Sequence, residues 1–372
     1  TLTVHEGRLY AKMGSPVTGM ATRELGDLQS DVVCLDIAKR QGQVIWKRSA
    51  SELDDGGAAW MFEGSPVVGG GRAYVALRRS QPNTQFNVVC FDASSGQLLW
   101  NKPVCAVAGE VALNRNIISH QLLTLADETV FYATHHGAVA ALDAVSGTLR
   151  WVVTYDSGTA KRQTTTISAG PLPCLVHRGI VYVAPRDGGG LRAIDALTGI
   201  VKWTRNITGG ISHLLGVGDG RLIVSGNDLW GVDVENGQAK RYVGYSNPMG
   251  SGYGRGVLAE DFVYWPTRSE VFIVHQGTGQ IRRRVALKAL YDESGGNLTI
   301  AGGHLLVTQP GRMVAFCNQA QLKQRAEDEF VQGSDSARGY LQLARAEQSS
   351  GAEHAAQAAY RDAVVHASAD DA

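Results

Sequence analysis

The 372-residue sequence has no long apolar run, no adjacent cysteines, no Cys-x-x-Cys pair and no excess of either charge. Each absence closes off a class of protein. Without roughly 18 consecutive apolar residues there is no transmembrane helix to read. The 35 basic and 35 acidic residues leave a formal net charge of zero. A nucleic-acid binder needs a surplus of Lys and Arg to displace phosphate counterions, so nucleic acid is not an expected partner. Cys34, Cys90, Cys105, Cys174 and Cys317 are far apart in the chain, and neither a zinc-ribbon nor a thioredoxin signature is present. Two of them sit in apolar runs, VVCLD and VVCFD, where a thiol behaves as a small hydrophobe. The acidic stretch ELDDGG (52–57) lacks the carboxylate spacing of a calcium loop, and GSGYGRG (250–256) is not followed by a helix. No nucleophile elbow or HExxH occurs. A signal peptide is also missing, and the chain opens on TLTV without a Met, which predicts a piece of a longer protein.

Glycine is what the sequence has in excess, with 45 residues and no collagen-like period. The usual share is about 7%, and a surplus suits a chain of many short strands joined by tight turns. With 44% hydrophobic and 19% charged residues the chain is globular. One phrase recurs: CFDASSGQLLW (90–100), ALDAVSGTLRW (141–151) and AIDALTGIVKW (193–203). Aligned on the Asp, the units fall at 36, 92, 143, 195 and 233, with His275 and Cys317 in the equivalent place. Roughly 40 to 50 residues per unit is the length of one four-stranded propeller blade. The Asp is expected to end a third strand and accept hydrogen bonds from turn amides. The Ser-Gly or Thr-Gly pair supplies positive φ to close the hairpin, and the Trp falls on the fourth strand, at an inter-blade contact.

Those residues resemble the tryptophan-docking motif of pyrroloquinoline-quinone (PQQ) type propeller repeats. Ala193, Asp195, Thr198, Gly199 and Trp203 reproduce all of it, while Asp92, Gly96, Trp100 and Asp143, Gly147, Trp151 carry Ser in place of Thr. The first unit has two extra residues before Gly42. In units five and six, Arg241 and Arg283 hold the Trp position, so docking is expected to be degraded there. The resemblance implies a mainly β fold over residues 1–317: a seven-bladed propeller of four-stranded antiparallel blades, eight in the intact relatives, with the last blade lacking its fourth strand. From 318 to 372 the sequence turns helical. Residues 337–368, with Tyr340, Leu343, Ala344, Ala356, Tyr360 and Ala363, are similar to one tetratricopeptide (TPR) repeat.

In a propeller, ligands meet the loops at one mouth of the channel. Glu63, His120, His213 and Arg255 stand at the entry to first strands and are the candidate ligand-binding residues; polar groups that merely line a wet channel would look the same. His135 and His136, adjacent in THHG, point to opposite faces and suit a turn better than a metal. PQQ-dependent dehydrogenases use adjacent cysteines, a Glu/Asn calcium site and an Asp base, and no matching set is found. No catalytic residue, metal or cofactor is therefore assigned. The chain is similar to the propeller lipoprotein family of outer-membrane barrel assembly. That resemblance implies a non-enzymatic, extracytoplasmic scaffold binding proteins or peptides in a membrane-associated complex of the bacterial envelope. A small-molecule or carbohydrate binder at the channel mouth, and a quinoprotein dehydrogenase, are the alternatives.

Overall fold

The computed structural model describes residues 2–14, 30–39, 42–53, 60–79, 83–107, 122–156, 172–188, 190–244, 251–317, 323–324, 326–328, 330, 337–349 and 352–370. They form seven antiparallel sheets, the blades of a mainly β propeller fold. Blades one to six span Thr3–Ser49, Met61–Val107, Leu123–Thr154, Leu175–Arg205, His213–Val243 and Val257–Ala286, with four strands each. Blade seven, Asn297–Cys317, has three among the described residues. In every blade the strands neighbour one another in chain order. All seven third strands end where the repeat places them, at Asp36, Asp92, Asp143, Asp195, Asp233, His275 and Cys317. After blade six comes a single helical turn, α1 (Leu287–Tyr291), whose Leu287 is buried.

Local chemistry explains both hairpin types. In blades one to five and in blade seven, first and second strands are joined by two-residue turns with positive φ at both positions, as at Glu6-Gly7 and Asp219-Gly220. This mirror-image turn matches the right-handed twist of the strands it joins. Between third and fourth strands the Asp organises the turn. Asp195 Oδ1 accepts from the amides of Leu197 (3.2 Å) and Thr198 (2.9 Å) and from the Thr198 hydroxyl (2.8 Å). The amide and hydroxyl bonds of Thr198 hold the carboxyl below its ordinary pKa. Bonds led by the Ser94 hydroxyl do the same at Asp92, which falls to about 2.

The chain divides into two compact units: residues 1–244 with the turn 276–279, and residues 245–275 with 280–372. In the first, successive blades meet through an aromatic side chain on the fourth strand. The indole of Trp46 lies against Gly96, Trp100 against Gly147, Trp151 against Gly199 and Trp203 against Gly237. Each indole N–H donates to a carbonyl of the next turn, at Ala93 (3.0 Å), Val145 (3.1 Å), Ala196 (2.9 Å) and Val234 (3.0 Å). The glycines thus serve twice. Their φ values are +70° to +75°, and a Cβ at any of these four would stand within 3 Å of the neighbouring indole.

Blade five departs from expectation. The ladder shift that faces Trp203 at Ala193/Ile194 moves to Leu229/Trp230. A bulge re-aims the side chains around it, and Tyr242, one residue past Arg241, takes the aromatic role. Its ring lies against Gly279, and its hydroxyl donates to the Gln276 carbonyl at 2.6 Å. The contact is rebuilt with a different residue.

In the second unit, Val271, Leu287, Leu298 and Val307 form the core shared by blades six and seven. Helices α2 (Ala337–Ser349) and α3 (Glu353–Asp370) also belong to this unit. They form a hairpin with Ala344, Ala346, Ala356 and Ala359 buried, and Tyr340 is stacked on His366 at 4.8 Å. No helix among the described residues is long and apolar enough to cross a membrane.

The two roles of glycine separate by substitution. Gly70 has φ +58° and open space around its Cβ position, so Gly70→Ala should cost about 1–2 kcal/mol from backbone conformation alone. Gly147→Ala adds a collision with Trp100 and should cost about 2–5 kcal/mol. Trp151→Ala should cost about 3–5 kcal/mol. Urea-unfolding midpoints of the three variants measure the order.

Candidate functional site

The residues proposed for a channel-mouth site do different work. Glu63 closes the first part of a strand whose ladder shifts between Glu63 and Val67. That places its carboxylate in the protein interior, 2% exposed, where it accepts from Arg78 Nε at 2.5 Å. Lys12 of blade one is also buried and feels both charges. Burial pushes its ammonium pKa down, and Glu63 opposes the shift. Tyr132, fully buried on blade three, lies in the same field, and burial raises its hydroxyl pKa. Two buried cations share one carboxylate, so Glu63 is an internal counter-ion joining blades one, two and three. His213 begins the first strand of blade five, half-buried, with Nδ1 3.5 Å from the Ser225 hydroxyl. Arg255 is in the second unit, where its amide donates to Asn297 Oδ1 (2.8 Å) and its carbonyl accepts from Leu298 (2.8 Å). The residue as a whole is exposed, while partial burial of its guanidinium lowers that group's pKa. His120 lies outside the described residues, as does most of the loop 105–116.

The THHG pair is a turn with a locking function. Nδ1 of His135 accepts from the Arg186 amide at 3.2 Å, so the proton is on Nε2, which donates to the Leu172 carbonyl at 3.1 Å. One neutral imidazole therefore ties the second-to-third-strand loop of blade three to two segments of blade four. Burial lowers the pKa of His135 to about 4. His136 turns the other way and packs on Phe86, with ring centroids 4.8 Å apart. Beside it, Asp187 accepts from the Gly137 amide and the Tyr155 hydroxyl, both at 2.7 Å. Among the described residues no three His, Cys, Asp or Glu side chains gather as a metal site would require.

Sequence reasoning missed a cleft of about 660 Å³ at the junction of blades four and five. The signal was there in the departures of these two units from the repeat: Ile180 where blade one has Arg8, and Val234 where blades two and three have Ala93 and Ala144.

With the architecture and these sites described, relatives can be compared. The family model described as outer membrane protein assembly factor BamB matches residues 29–209 and 135–341. The chain belongs to that family. A curated relative of the same description, from Moranella endobia (strain PCIT), is 25% identical over 164 residues, or 42% of this chain. That match spans 39% of the relative's own length. The crystal structure of BamB from Moraxella catarrhalis superposes with a TM-score of 0.54 at 16% identity, covering 84% of this chain and 92% of that one. It shares the fold. A europium-containing methanol dehydrogenase has a TM-score of 0.49 at 12% identity, covering 84% and 75% of the two chains.

Two outcomes check the internal roles. Glu63→Gln leaves Arg78 and Lys12 uncompensated and should cost about 3–5 kcal/mol in chemical denaturation. For His135 the folded pKa is depressed, so its neutral form is favoured in the native state. Its contribution is complete above pH 6.5 and is lost as pH falls toward 4. Stability should decline through this window on the order of 1 kcal/mol per pH unit. His135→Asn, which tolerates the site's positive φ, should remove that slope when unfolding midpoints are compared at pH 7 and pH 5.

Proposed function

We propose that this protein is a non-enzymatic scaffold of the bacterial envelope, active on the extracytoplasmic side in outer-membrane protein assembly. The observation that carries the reading is the family match, which begins within blade one, runs through blade seven and reaches residue 341. The architecture is in keeping with it. The recurring Asp, Gly and Trp are consumed by turn formation and blade packing, which leaves the unrepeated loops for recognition. The buried acid Glu63 is neutralised by Arg78, not held at a reacting centre. Partners are taken to be other proteins or peptides in a membrane-associated complex.

The finer assignment follows the repeat. We take the propeller to end at Cys317 and the remaining residues, 318–372, to form a helical module of TPR type. The antiparallel pair α2 and α3, joined through small buried alanines and the Tyr340–His366 stack, is the supporting feature. One helical pair cannot bury both its faces alone, and this suits a module that docks on something else.

Deleting the gene in its host should lower the abundance of β-barrel proteins in the outer membrane. The intact chain, tagged and cross-linked in cells, should retain envelope proteins of barrel assembly, identified by mass spectrometry. An unchanged outer-membrane profile together with no such partners would overturn the reading. Saturable uptake of PQQ and Ca²⁺ accompanied by dye reduction would replace it with the dehydrogenase alternative.

A further inference from the structure

The cleft between blades four and five is an exception within a repeated design. At the first junction, Tyr10 and Arg8 of blade one both reach the Ala93 carbonyl of blade two, at 3.1 and 3.3 Å. At the second, the Tyr74 hydroxyl donates to the Ala144 carbonyl at 3.1 Å. These bonds draw each second strand onto the following turn. At the fourth junction Tyr182 holds the equivalent position and is 1% exposed. Its hydroxyl makes no hydrogen bond among the described residues, and Tyr182 lines the cleft. The shorter Ile180 replaces the bridging Arg8, and the larger Val234 replaces the small alanine of the receiving turn. A buried phenol without a partner costs free energy unless a ligand supplies one.

The walls of the cleft are chemically polarised. His177, Arg178 and Lys202 come from blade four and Glu235 from blade five, whereas the Asp219 carboxylate turns away and lies against Gly277. Lys202 pairs with Asp195 of its own blade at 3.4 Å, and no ion pair among the described residues crosses from one wall to the other. Between them the floor is apolar, formed by Ile180, Val217 and Val234 with the Tyr182 ring. Basic side chains on one side, the Glu235 carboxylate on the other and an apolar floor match a ligand carrying a carboxylate at one end, an ammonium at the other and an apolar side chain. The volume lies within the range that holds small molecules.

We infer that this cleft binds a short zwitterionic peptide, its carboxylate toward Arg178 and Lys202 and its amino group toward Glu235. The inference stands apart from the scaffold reading, because the cleft uses none of the unrepeated loops. Titration calorimetry of the intact chain with the unblocked tripeptide Ala-Leu-Ala should show saturable one-to-one binding. Acetylating and amidating its ends should weaken binding about tenfold or more, because bonds to charged groups are worth about 1.5–3 kcal/mol. Arg178→Gln and Glu235→Gln should each weaken it to a similar extent, both being surface changes. Tyr182→Phe should weaken it without lowering the thermal midpoint, since it removes an unpartnered hydroxyl and Phe131 fills the equivalent position in blade three. Absence of saturable binding up to about 10 mM, the threshold of weak association, overturns the proposal. So does equal affinity for the blocked peptide, or unchanged affinity in both charge variants with their folds intact by circular dichroism.

Discussion

Hydrogen bonds hold each blade together, but they stop at its edges; what joins one blade to the next in the first unit is an aromatic ring laid across a glycine. The indole of Trp151 covers Gly199, donates to the Ala196 carbonyl and lies 6.0 Å from the Phe131 ring. One side chain thereby fixes the fourth strand of its own blade and the turn of its neighbour. Because a blade is too thin to bury both its faces, this contact decides whether the sheets stack at all. The same constraint explains why the turn residue is glycine, since the left-handed backbone and the missing Cβ are both required there. Tyr242 shows that the constraint lies in the geometry and not in the residue type: a shifted bulge carries a tyrosine to the same task.

Polar groups drawn into this framework serve as ties between blades. Glu63 neutralises Arg78 and shares its field with Lys12 and Tyr132. His135, kept neutral by burial, gives one ring nitrogen to each of two segments of blade four. From the sequence Glu63 had been a ligand-binding candidate and His135 part of a turn. Their partners are the protein itself. Thr3 and Thr124 act similarly along the first strands, each donating at 2.6 Å to a carbonyl of the following blade.

A repeat also makes its exceptions visible. Where Arg8 and an alanine close the first junction, Ile180 and Val234 leave the fourth one open, and the open space collects basic residues on one side and the Glu235 carboxylate on the other. An enzyme's reacting groups would have to be drawn from outside the repeated positions, because these are committed to turns and packing. Recognition at departures from the repeat, in loops or at an irregular junction, is what the architecture leaves room for.

The spacing of Asp, Gly and Trp, carried on to His275 and Cys317, determined where the third strands of seven units end and left seven or eight blades open, because a four-stranded hairpin unit needs a turn at a constant distance from its packing residue. Cys34 and Cys90 were legible as core because each sits in a continuous apolar run, and both are buried. Tertiary structure alone decided where Glu63 points, since a bulge reverses the facing of residues beyond it and nothing in FEGSPVV marks its place. It alone decided that Tyr242 replaces the missing Trp, and that the fourth junction opens. Those outcomes depend on residues some 30 to 50 positions apart meeting across two sheets, a distance over which the local pattern carries no information.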